Sequence, residues 1–367
     1  MHPRRSRPGG AGGQSGRDKT AVTAARCAVW GAGAIGGVVG ASMARAGEDV
    51  LLVDVVAEHV NAMNDSGLVI RMAGEDERTR VRAALPTAVR GTFDIVFLAV
   101  KSQYTQAALD AIEPHLHARS AVVSLQNGVN EPHIARCIGA ERTIGCLVDF
   151  SSDYQAPGLI ARARAGNLFV GELDGRATPR TEVVRSLLAH STTAYTCQNI
   201  MGFVWAKMCK GTIDATTALV DENALELRFN RKYHPVRAQL VREAVEVAAA
   251  EGVQVAAFAH FDPAPFLDRS PAGREAAFLV LDEIARGQAE GNSKIRTGYW
   301  RDIVVRKRKT EIEYITGEIV RCGERRGVPT PLNRLQWTMF EEIESGTRPM
   351  QWANLDQLDA ALAAIAQ

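Results

Sequence analysis

The segment that most constrains the fold of this chain is residues 31–36, Gly-Ala-Gly-Ala-Ile-Gly. It directly follows an apolar run, Cys27–Trp30, and opens an uncharged stretch with helical character. In such a turn Gly31 would permit the tight reversal, Gly33 would let phosphates approach the backbone, and Gly36 would allow close helix packing. The pattern predicts a strand–turn–helix unit that binds a dinucleotide's pyrophosphate at the helix N-terminus. The residues expected to form this binding turn are Gly31, Ala32, Gly33, Ala34, Ile35 and Gly36.

The chain on either side of the motif supports this interpretation, although the same glycines could merely pack a helix against a core. Short apolar runs alternate with helical stretches, which indicates a parallel sheet covered by helices on both faces. The predicted strands are 27–30, 50–53, 94–100 and 121–125, and the predicted helices are 35–46, 57–66 and 104–116. Residues 141–175 hold turns and short β-like pieces that could extend the sheet.

The pattern of apolar and polar residues changes after about residue 197. Stretches such as 236–251 and 301–326 have helical periodicity and almost no strand signal. We therefore predict an α/β fold, in which an N-terminal Rossmann-type parallel sheet domain is followed by a mostly α-helical domain. The expected division is a disordered basic arm at 1–25, a dinucleotide-binding domain at 26–197 and a helical substrate domain at 198–367.

Composition excludes several other classes of protein. The chain has 367 residues, 46% of them hydrophobic, and a formal net charge of +1, so it suits two globular domains with no electrostatic preference for nucleic acid. The basic run 306–309 could suggest nucleic acid, but the apolar residues that flank it favour a solvated or domain-facing surface. Six dispersed cysteines favour a reducing cytoplasm. The basic start of the chain resembles an export signal or anchor, yet the glycines that follow fit the dinucleotide turn better, so no membrane association is expected.

Three further residues are expected near the cofactor. Asp54 ends the second predicted strand, where a carboxylate would accept hydrogen bonds from an adenine ribose and repel a 2′-phosphate. Lys101 and Asn127 follow the carboxyl ends of the next two predicted strands, the edge at which open α/β sheets bind ligands. Each of the three could instead be an ordinary turn or loop residue.

The second domain offers a separate polar set, Lys207, Thr297 and Glu311. Reduction of a carbonyl requires a proton donor with a tuned pKa, and a lysine beside a nicotinamide ring could serve, oriented by a nearby glutamate. Other chemistries lack support, because the sequence has no HExxH, no Cys/His cluster, no GxSxG elbow and no GxxxxGK[ST] loop. No metal site is therefore expected.

Taken together, these segments resemble the ketopantoate reductase (2-dehydropantoate 2-reductase) family over residues 26–345. The resemblance rests on GAGAIGG, AVKSQ, LQNG, Trp205-x-Lys207, TEIE and the GVPTPLN turn at 327–333. It implies that substrate and nicotinamide share the cleft between the two domains, with Lys207 as general acid and Glu311 as an active-site carboxylate. It places Lys101 and Asn127 near the nicotinamide ribose and substrate, and Thr297 at the position of the family's substrate-binding serine, with one residue more before Glu311.

Two departures from the family pattern bear on specificity. Asparagines four and eight residues after the catalytic lysine are replaced by Gly211 and Ala215, which we expect to border the substrate with Lys207 as a less polar, roomier site. Asp54 stands where many members have an arginine for the NADP phosphate, so NAD is favoured over NADP. NAD-dependent relatives such as D-mandelate dehydrogenase, which act on bulkier 2-oxo acids, are then the nearer likeness.

The sequence therefore predicts an enzyme that interconverts a 2-oxo acid and a 2-hydroxy acid with a nicotinamide cofactor. The expected partner is the small 2-oxo acid, with a homodimer left open and with neither nucleic acid nor a membrane. Two alternatives remain at this point. One is NADPH-dependent 2-dehydropantoate reduction in pantothenate biosynthesis, and the other is a non-catalytic dinucleotide sensor, against which the presence of Lys207 and Glu311 counts.

Overall fold

A computed structural model describes residues 25–289 and 296–365, so most of the basic arm lies outside the described residues. The strands are β1 (Cys27–Trp30), β2 (Val50–Val53), β3 (Leu68–Met72), β4 (Glu75–Thr79), β5 (Arg82–Ala84), β6 (Phe93–Leu98), β7 (Leu116–Ser124), β8 (Thr143–Val148), β9 (Ser151–Ala156), β10 (Leu159–Arg164), β11 (Leu168–Glu172) and β12 (Ala194–Thr196). The helices of the N-terminal half are α1 (Ala34–Arg45), α2 (Ala57–Ser66), α3 (Thr105–Ile112), α4 (Glu131–Ile138) and α5 (Pro179–Leu188).

Within the described residues, eight strands form one mostly parallel sheet in the order β12-β11-β8-β7-β6-β1-β2-β5. The central strand β1 pairs in parallel with β2 on one side and β6 on the other, with Cys27 opposite Val50 and Ile95. All four residues of β1 are buried, because helices cover both faces of the sheet. The predicted α/β class with a parallel sheet is confirmed.

A second, smaller sheet in the order β4-β3-β10-β9 is absent from the sequence-based prediction. Of the 141–175 region, β8 and β11 extend the main sheet as expected, whereas β9 and β10 belong to this second sheet. It packs on α1, where the Ile160 side chain reaches Gly37. Its central pairing joins β3 to β10, about ninety positions apart in the chain, so local periodicity carries no trace of it.

The C-terminal half is helical. Its α-helices are α6 (Ile200–Thr216), α7 (Ala224–Phe229), α8 (His234–Ala250), α9 (Ala264–Leu267), α10 (Pro271–Ala289), α11 (Gly298–Trp300), α12 (Ile312–Arg326), α13 (Pro331–Glu344) and α14 (Trp352–Ile365). The predicted helix at 236–251 corresponds to α8. The stretch 301–326 is helical as expected but interrupted, because a π-helical turn at Arg301–Val305 ends before α12 begins. Lys307 lies between them with φ of 51°, a backbone conformation that no α-helix accommodates.

The two halves meet at the carboxyl edge of the main sheet. The α6 helix packs on β8 and β11, and the rings of Phe203 and Phe169 stack there with centroids 4.3 Å apart. The buried helix α6 contacts α8 and α12 on its other sides. This packing brings the C-terminal helices against the loops that follow the parallel strands.

Candidate active site

The glycine-rich turn between β1 and α1 has the geometry of a phosphate-binding site. Gly31 adopts φ of 94°, and a Cβ there would lie 2.8 Å from the Val100 nitrogen, so only glycine fits. A Cβ on Gly36 would lie 2.1 Å from the Gly31 carbonyl oxygen. In contrast, a Cβ on Gly33 would meet no atom within 4 Å, so the backbone there faces open space. The turn is closed behind and open in front, as a dinucleotide requires.

The N-terminus of α1 lies at this open side. Gly33 is its N-cap residue and, as a glycine, provides no side-chain cap for the first-turn amides. Those amides, together with the helix dipole, favour an anion in front of the turn. The residues present therefore fit the pyrophosphate of a dinucleotide.

Asp54 lies directly after β2, and its Oδ1 accepts a hydrogen bond from the Val56 amide at 3.0 Å. Glu58, in the first turn of α2, adds a second carboxylate to the same region. Burial raises the pKa of the Tyr154 hydroxyl, and the charges of Asp54 and Glu58 raise it further. The end of β2 is thus an acidic environment, unfavourable to a further negative group.

The loops after β6 and β7 are held together by side chains. The Ser102 hydroxyl donates to the Asn127 carbonyl oxygen at 2.6 Å, and the Asn130 side-chain amide donates to both Ser102 Oγ and the same carbonyl. Gln126 Nε2 donates to the Val100 carbonyl at 3.0 Å. Sequence reasoning missed these three connecting residues as site components, although they stand within or beside the AVKSQ and LQNG segments.

Lys101 and Glu311, predicted separately, come together in the structure. Lys101 Nζ lies 3.8 Å from Glu311 Oε2, and the Ser102 amide lies 3.4 Å from Glu311 Oε1. Lys101 also forms an ion pair with Asp302, a buried residue that the sequence-based prediction did not include. Burial alone would raise the pKa of Asp302, but the hydrogen bond from Lys101 and the cations around it hold that pKa below its usual value.

Asp302, like Glu311, is an acidic residue that connects the halves of the protein. It pairs with Arg306 and Arg308 as well as with Lys101. Asp153, on β9, accepts from Arg301 at 2.9 Å and from Arg306 at 2.8 Å. The basic run at 306–309 therefore includes one residue, Arg306, that faces the other domain, in line with one of the two surfaces proposed for the run.

Lys207 lies in the second turn of α6, a helix whose N-cap Asn199 accepts a hydrogen bond from the Gly202 amide. Its Nζ donates to the carbonyl of Val148, the last residue of β8, at 2.5 Å. Burial lowers the pKa of Lys207 to about 8, partly opposed by the charges of Asp149 and Glu311. The ammonium thus lies at the carboxyl edge of the sheet with a pKa suited to proton exchange near neutral pH.

The other residues expected around the substrate are placed differently. Gly211 is half-buried, and a Cβ there would lie 3.0 Å from Ile315 Cγ2, so α12 occupies the adjoining space. Ala215 is 0% exposed and packs in a hydrophobic cluster, so it does not border the cleft beside Lys207. The reason is geometric, since eight residues along a helix the direction has rotated by about 80° beyond two full turns.

Thr297 has a capping role in the structure. Its Oγ1 accepts from the Trp300 amide at 3.5 Å at the start of α11, and it lies 3.5 Å from the Thr217 hydroxyl. Two other polar residues of α6, Asp214 and Thr212, are candidates to supply the hydrogen bonds of the two asparagines that Gly211 and Ala215 replace. However, the Asp214 carboxylate is held by Lys210 and other donors, and the Thr212 hydroxyl donates to a backbone carbonyl.

Two properties of the described residues limit the kind of site. No group of three or more His, Cys, Asp or Glu side chains among them could hold a metal ion. Nor is any helix within residues 25–289 and 296–365 long and apolar enough to cross a membrane. A glycine-rich turn open to an anion, a strand-end carboxylate and a desolvated lysine lie at one sheet edge, an arrangement typical of dinucleotide-dependent oxidoreductases with a Rossmann-type domain.

Comparison with known proteins gives the family. Residues 27–175 match the model of ketopantoate reductase PanE/ApbA, and residues 199–344 match that of its C-terminal domain. The 2-dehydropantoate 2-reductase of Pyrococcus abyssi is 28% identical over 323 residues, covering 86% of this chain and 97% of the relative. That of Archaeoglobus fulgidus is 28% identical over 325 residues, covering 88% and 98%. The chain belongs to the ketopantoate reductase family.

Solved structures agree with this assignment. A PanE/ApbA family ketopantoate reductase from Ralstonia eutropha is similar with a TM-score of 0.72 and 27% identity, covering 88% of this chain and 99% of that one. A D-mandelate dehydrogenase in complex with NADH and anilino(oxo)acetate has a TM-score of 0.74 at 23% identity, with the same coverage. The latter likeness concerns the fold alone. The resemblance to the ketopantoate reductase family inferred from the sequence is confirmed by the family models and the relatives.

Proposed function

We propose that the protein reduces a 2-oxo acid to a 2-hydroxy acid and that Lys207 donates the proton. The observation that carries the proposal is the position of Lys207 Nζ, at the carboxyl end of β8 with a pKa lowered by burial to about 8. The bound nicotinamide would supply the hydride. Because an alkoxide develops at the substrate oxygen, an ammonium poised near neutral pH can neutralise it by giving up its proton.

Glu311 and Lys101 would act beside that donor. The Glu311 carboxylate contributes to holding up the pKa of Lys207 and lies 3.8 Å from Lys101 Nζ, so it can orient both cations. Lys101 and Asn127 follow β6 and β7, whose loops Ser102 ties together. In this arrangement residues 26–197 would bind the dinucleotide, and residues 198–367 would contribute the proton donor and the substrate-binding groups.

The favoured cofactor is NAD rather than NADP. Asp54 and Glu58 make the end of β2 acidic, and a 2′-phosphate there would meet like charges. Placing charges of the same sign together is how a site rejects the wrong ligand. NADP remains the alternative within this family.

The favoured substrate has a branched or aromatic side chain. Gly211 offers no polar group, and the neighbouring Ile315 makes this part of the cleft apolar, so we propose a less polar site without the extra room that Ala215 was expected to give. A site lacking hydrogen-bonding groups has little grip on a substrate hydroxyl. NADPH-dependent 2-dehydropantoate reduction is the second candidate, and the curated relatives at 28% identity favour it.

The proposal also includes an oligomeric state and a cellular compartment. A homodimer is suggested by the fold's likeness to a dimeric ketopantoate reductase from Staphylococcus aureus, which is 18% identical with a TM-score of 0.66. Dispersed cysteines suit the reducing cytoplasm. Gel filtration with light scattering would decide the first point.

The test of function is an assay of purified protein with ketopantoate and with phenyl- and isopropyl-bearing 2-oxo acids, each with NADH and NADPH. We expect a higher kcat/KM for the bulkier acids, and a clear advantage for ketopantoate would select the second candidate. Lys207→Ala should lower kcat by about 100-fold or more, the range for a lost proton donor. Lys210→Ala, one turn further along α6, is the matched control and should retain most of the activity. Dinucleotide binding with no turnover on any 2-oxo acid would instead indicate a sensor.

A further inference from the structure

Two carbonyl groups of the phosphate-binding turn receive hydrogen bonds from side chains far away in the chain. His59 Nε2, on α2, lies 2.9 Å from the Ala32 carbonyl oxygen. The Ser152 hydroxyl, on β9 of the second sheet, donates to the Ala34 carbonyl oxygen at 2.6 Å. Neither residue belongs to the glycine motif, and both come from elements other than β1 and α1.

The surroundings of His59 determine which of its ring nitrogens carries the proton. The Gly158 amide donates to His59 Nδ1 at 2.9 Å, so Nδ1 must be the acceptor. The neutral ring therefore carries its proton on Nε2 and donates it to Ala32. The ring is 0% exposed, and its edge contacts the ring of Tyr154 with centroids 5.0 Å apart. Packing and two hydrogen bonds together fix the orientation of this imidazole.

Holding a carbonyl also aims the amide that shares its peptide plane. A peptide unit is planar and trans, so the N–H of the following residue points opposite to the carbonyl. A fixed Ala32 carbonyl thus directs the Gly33 N–H, and a fixed Ala34 carbonyl directs the Ile35 N–H. These amides belong to the N-terminus of α1, where the backbone at Gly33 faces open space. Glycine adds no side chain to restrain this backbone, so the restraint must come from outside.

We propose that His59 and Ser152 are positioning residues for the cofactor: they hold the Ala32 and Ala34 carbonyls so that the Gly33 and Ile35 amides point at the dinucleotide's pyrophosphate. The second sheet then has a function, since it carries Ser152 and Tyr154 on one face of β9 and places the Gly158 amide against His59. Preorganised donors bind an anion more tightly than donors that must reorient. The inference rests on nicotinamide binding and on no particular 2-oxo acid.

The test measures binding of NADH and NADPH to the purified protein by the quenching of tryptophan fluorescence, with no substrate present. His59→Phe keeps an aromatic ring and removes both hydrogen bonds, and Ser152→Ala removes the hydrogen bond to the Ala34 carbonyl. For each we expect the dissociation constant of the preferred dinucleotide to rise about 3- to 10-fold, the effect of losing one hydrogen bond of ordinary strength. His59→Gln, whose amide can again donate to Ala32, should restore part of the affinity. At saturating dinucleotide, kcat should change much less than the KM for the dinucleotide.

Matched controls separate this effect from general loosening of the protein. His234→Phe makes the same substitution at another fully buried histidine, which bonds to Asp282 and contacts the Phe278 ring edge-on. Ser120→Ala removes a hydroxyl that also donates to a backbone carbonyl at 2.6 Å, outside the turn. Both controls should bind dinucleotide as the parent does.

Unchanged affinity in His59→Phe and Ser152→Ala would overturn the proposal, as would an equal loss in the two controls. If His59→Phe does not fold, Ser152→Ala decides the question. A parent protein that binds neither NADH nor NADPH would count against the cofactor assignment itself, which the same titration reveals separately.

Discussion

The lowered pKa of Lys207 predicts a specific dependence of reduction on pH. Desolvation disfavours the charged form of a lysine, so its pKa falls from the usual value to about 8. Reduction consumes a proton and needs the ammonium form, which is lost as the pH rises through that pKa. The reverse oxidation needs the neutral amine and should gain over the same range. The perturbation is therefore a change of pH from about 7 to about 9.

The size of the effect follows from the titration of one group. With a pKa of about 8, roughly nine-tenths of Lys207 is protonated at pH 7 and roughly one-tenth at pH 9, so kcat/KM for reduction should fall about tenfold. A lysine with an ordinary pKa near 10.4 would remain almost fully protonated, and the rate would change by roughly 10% or less.

The assay follows dinucleotide absorbance with one 2-oxo acid in overlapping buffers of constant ionic strength. Asp149→Asn adds a second perturbation, because the charge of Asp149 raises the pKa of Lys207. Its removal should shift the alkaline limb to lower pH, whereas the exposed Asp110→Asn should leave the limb unchanged. A flat profile between pH 7 and 9 in the parent protein would refute the assignment of Lys207 as a proton donor with a shifted pKa.

Three further predictions concern the cofactor site and the contact between the halves. The kcat/KM with NADH should be more than about tenfold above that with NADPH, and Asp54→Asn should reduce this ratio. Equal kcat/KM values with the two dinucleotides in the parent would show that Asp54 is an ordinary turn residue with no part in cofactor selection. Gly31→Ala should lower the melting temperature because there is no room for the added Cβ. Gly33→Ala should leave the melting temperature unchanged and lower the affinity for the dinucleotide, because its Cβ would extend into the open space in front of the turn. Equal decreases of the melting temperature in the two variants would contradict this prediction. Asp153→Asn removes a carboxylate that two arginines share, so it should lower the melting temperature. The decrease should be measurably larger in low salt than in high salt, because salt screens ion pairs. An unchanged melting temperature would show that these ion pairs do not contribute to stability.

Interactions between neighbours in the sequence account for what could be read from it. The turn at 31–36 depends on the positive φ of Gly31, on the lack of room for a Cβ at Gly36 and on a strand and helix directly adjoining it, so a short window contains the whole signal. Periodicity likewise located β1, β2 and β6 closely. The catalytic assignments of Lys207 and Glu311 came from family resemblance, because single polar residues in helical stretches have no local signature.

The features that could not be predicted from the sequence depend on contacts between distant segments of the chain. Asp302 stands in a basic stretch with nothing to mark it, and it gains its role only by meeting Lys101 from the other half of the chain. The break in the helix between Val305 and Ile312 also depends on distant contacts. The residues there are not helical, and two of them, Arg306 and Arg308, form ion pairs with Asp153 and Asp302.

Ala215 shows the limit of spacing arguments. Positions i, i+4 and i+8 share a helix face only approximately, and packing against α12 and the neighbouring cluster decides which of them reaches the cleft.

By itself, then, the sequence determined a dinucleotide-binding turn, a parallel sheet and a helical C-terminal half, because local sterics and periodic burial are encoded within a few residues of one another. Only the tertiary structure decided that Lys207 is desolvated against the carbonyl of Val148, that Lys101 meets Glu311, and that His59 and Ser152 form hydrogen bonds to carbonyls of the glycine-rich turn. Desolvation and hydrogen bonding depend on which groups become neighbours in space, and that follows from packing of the whole chain.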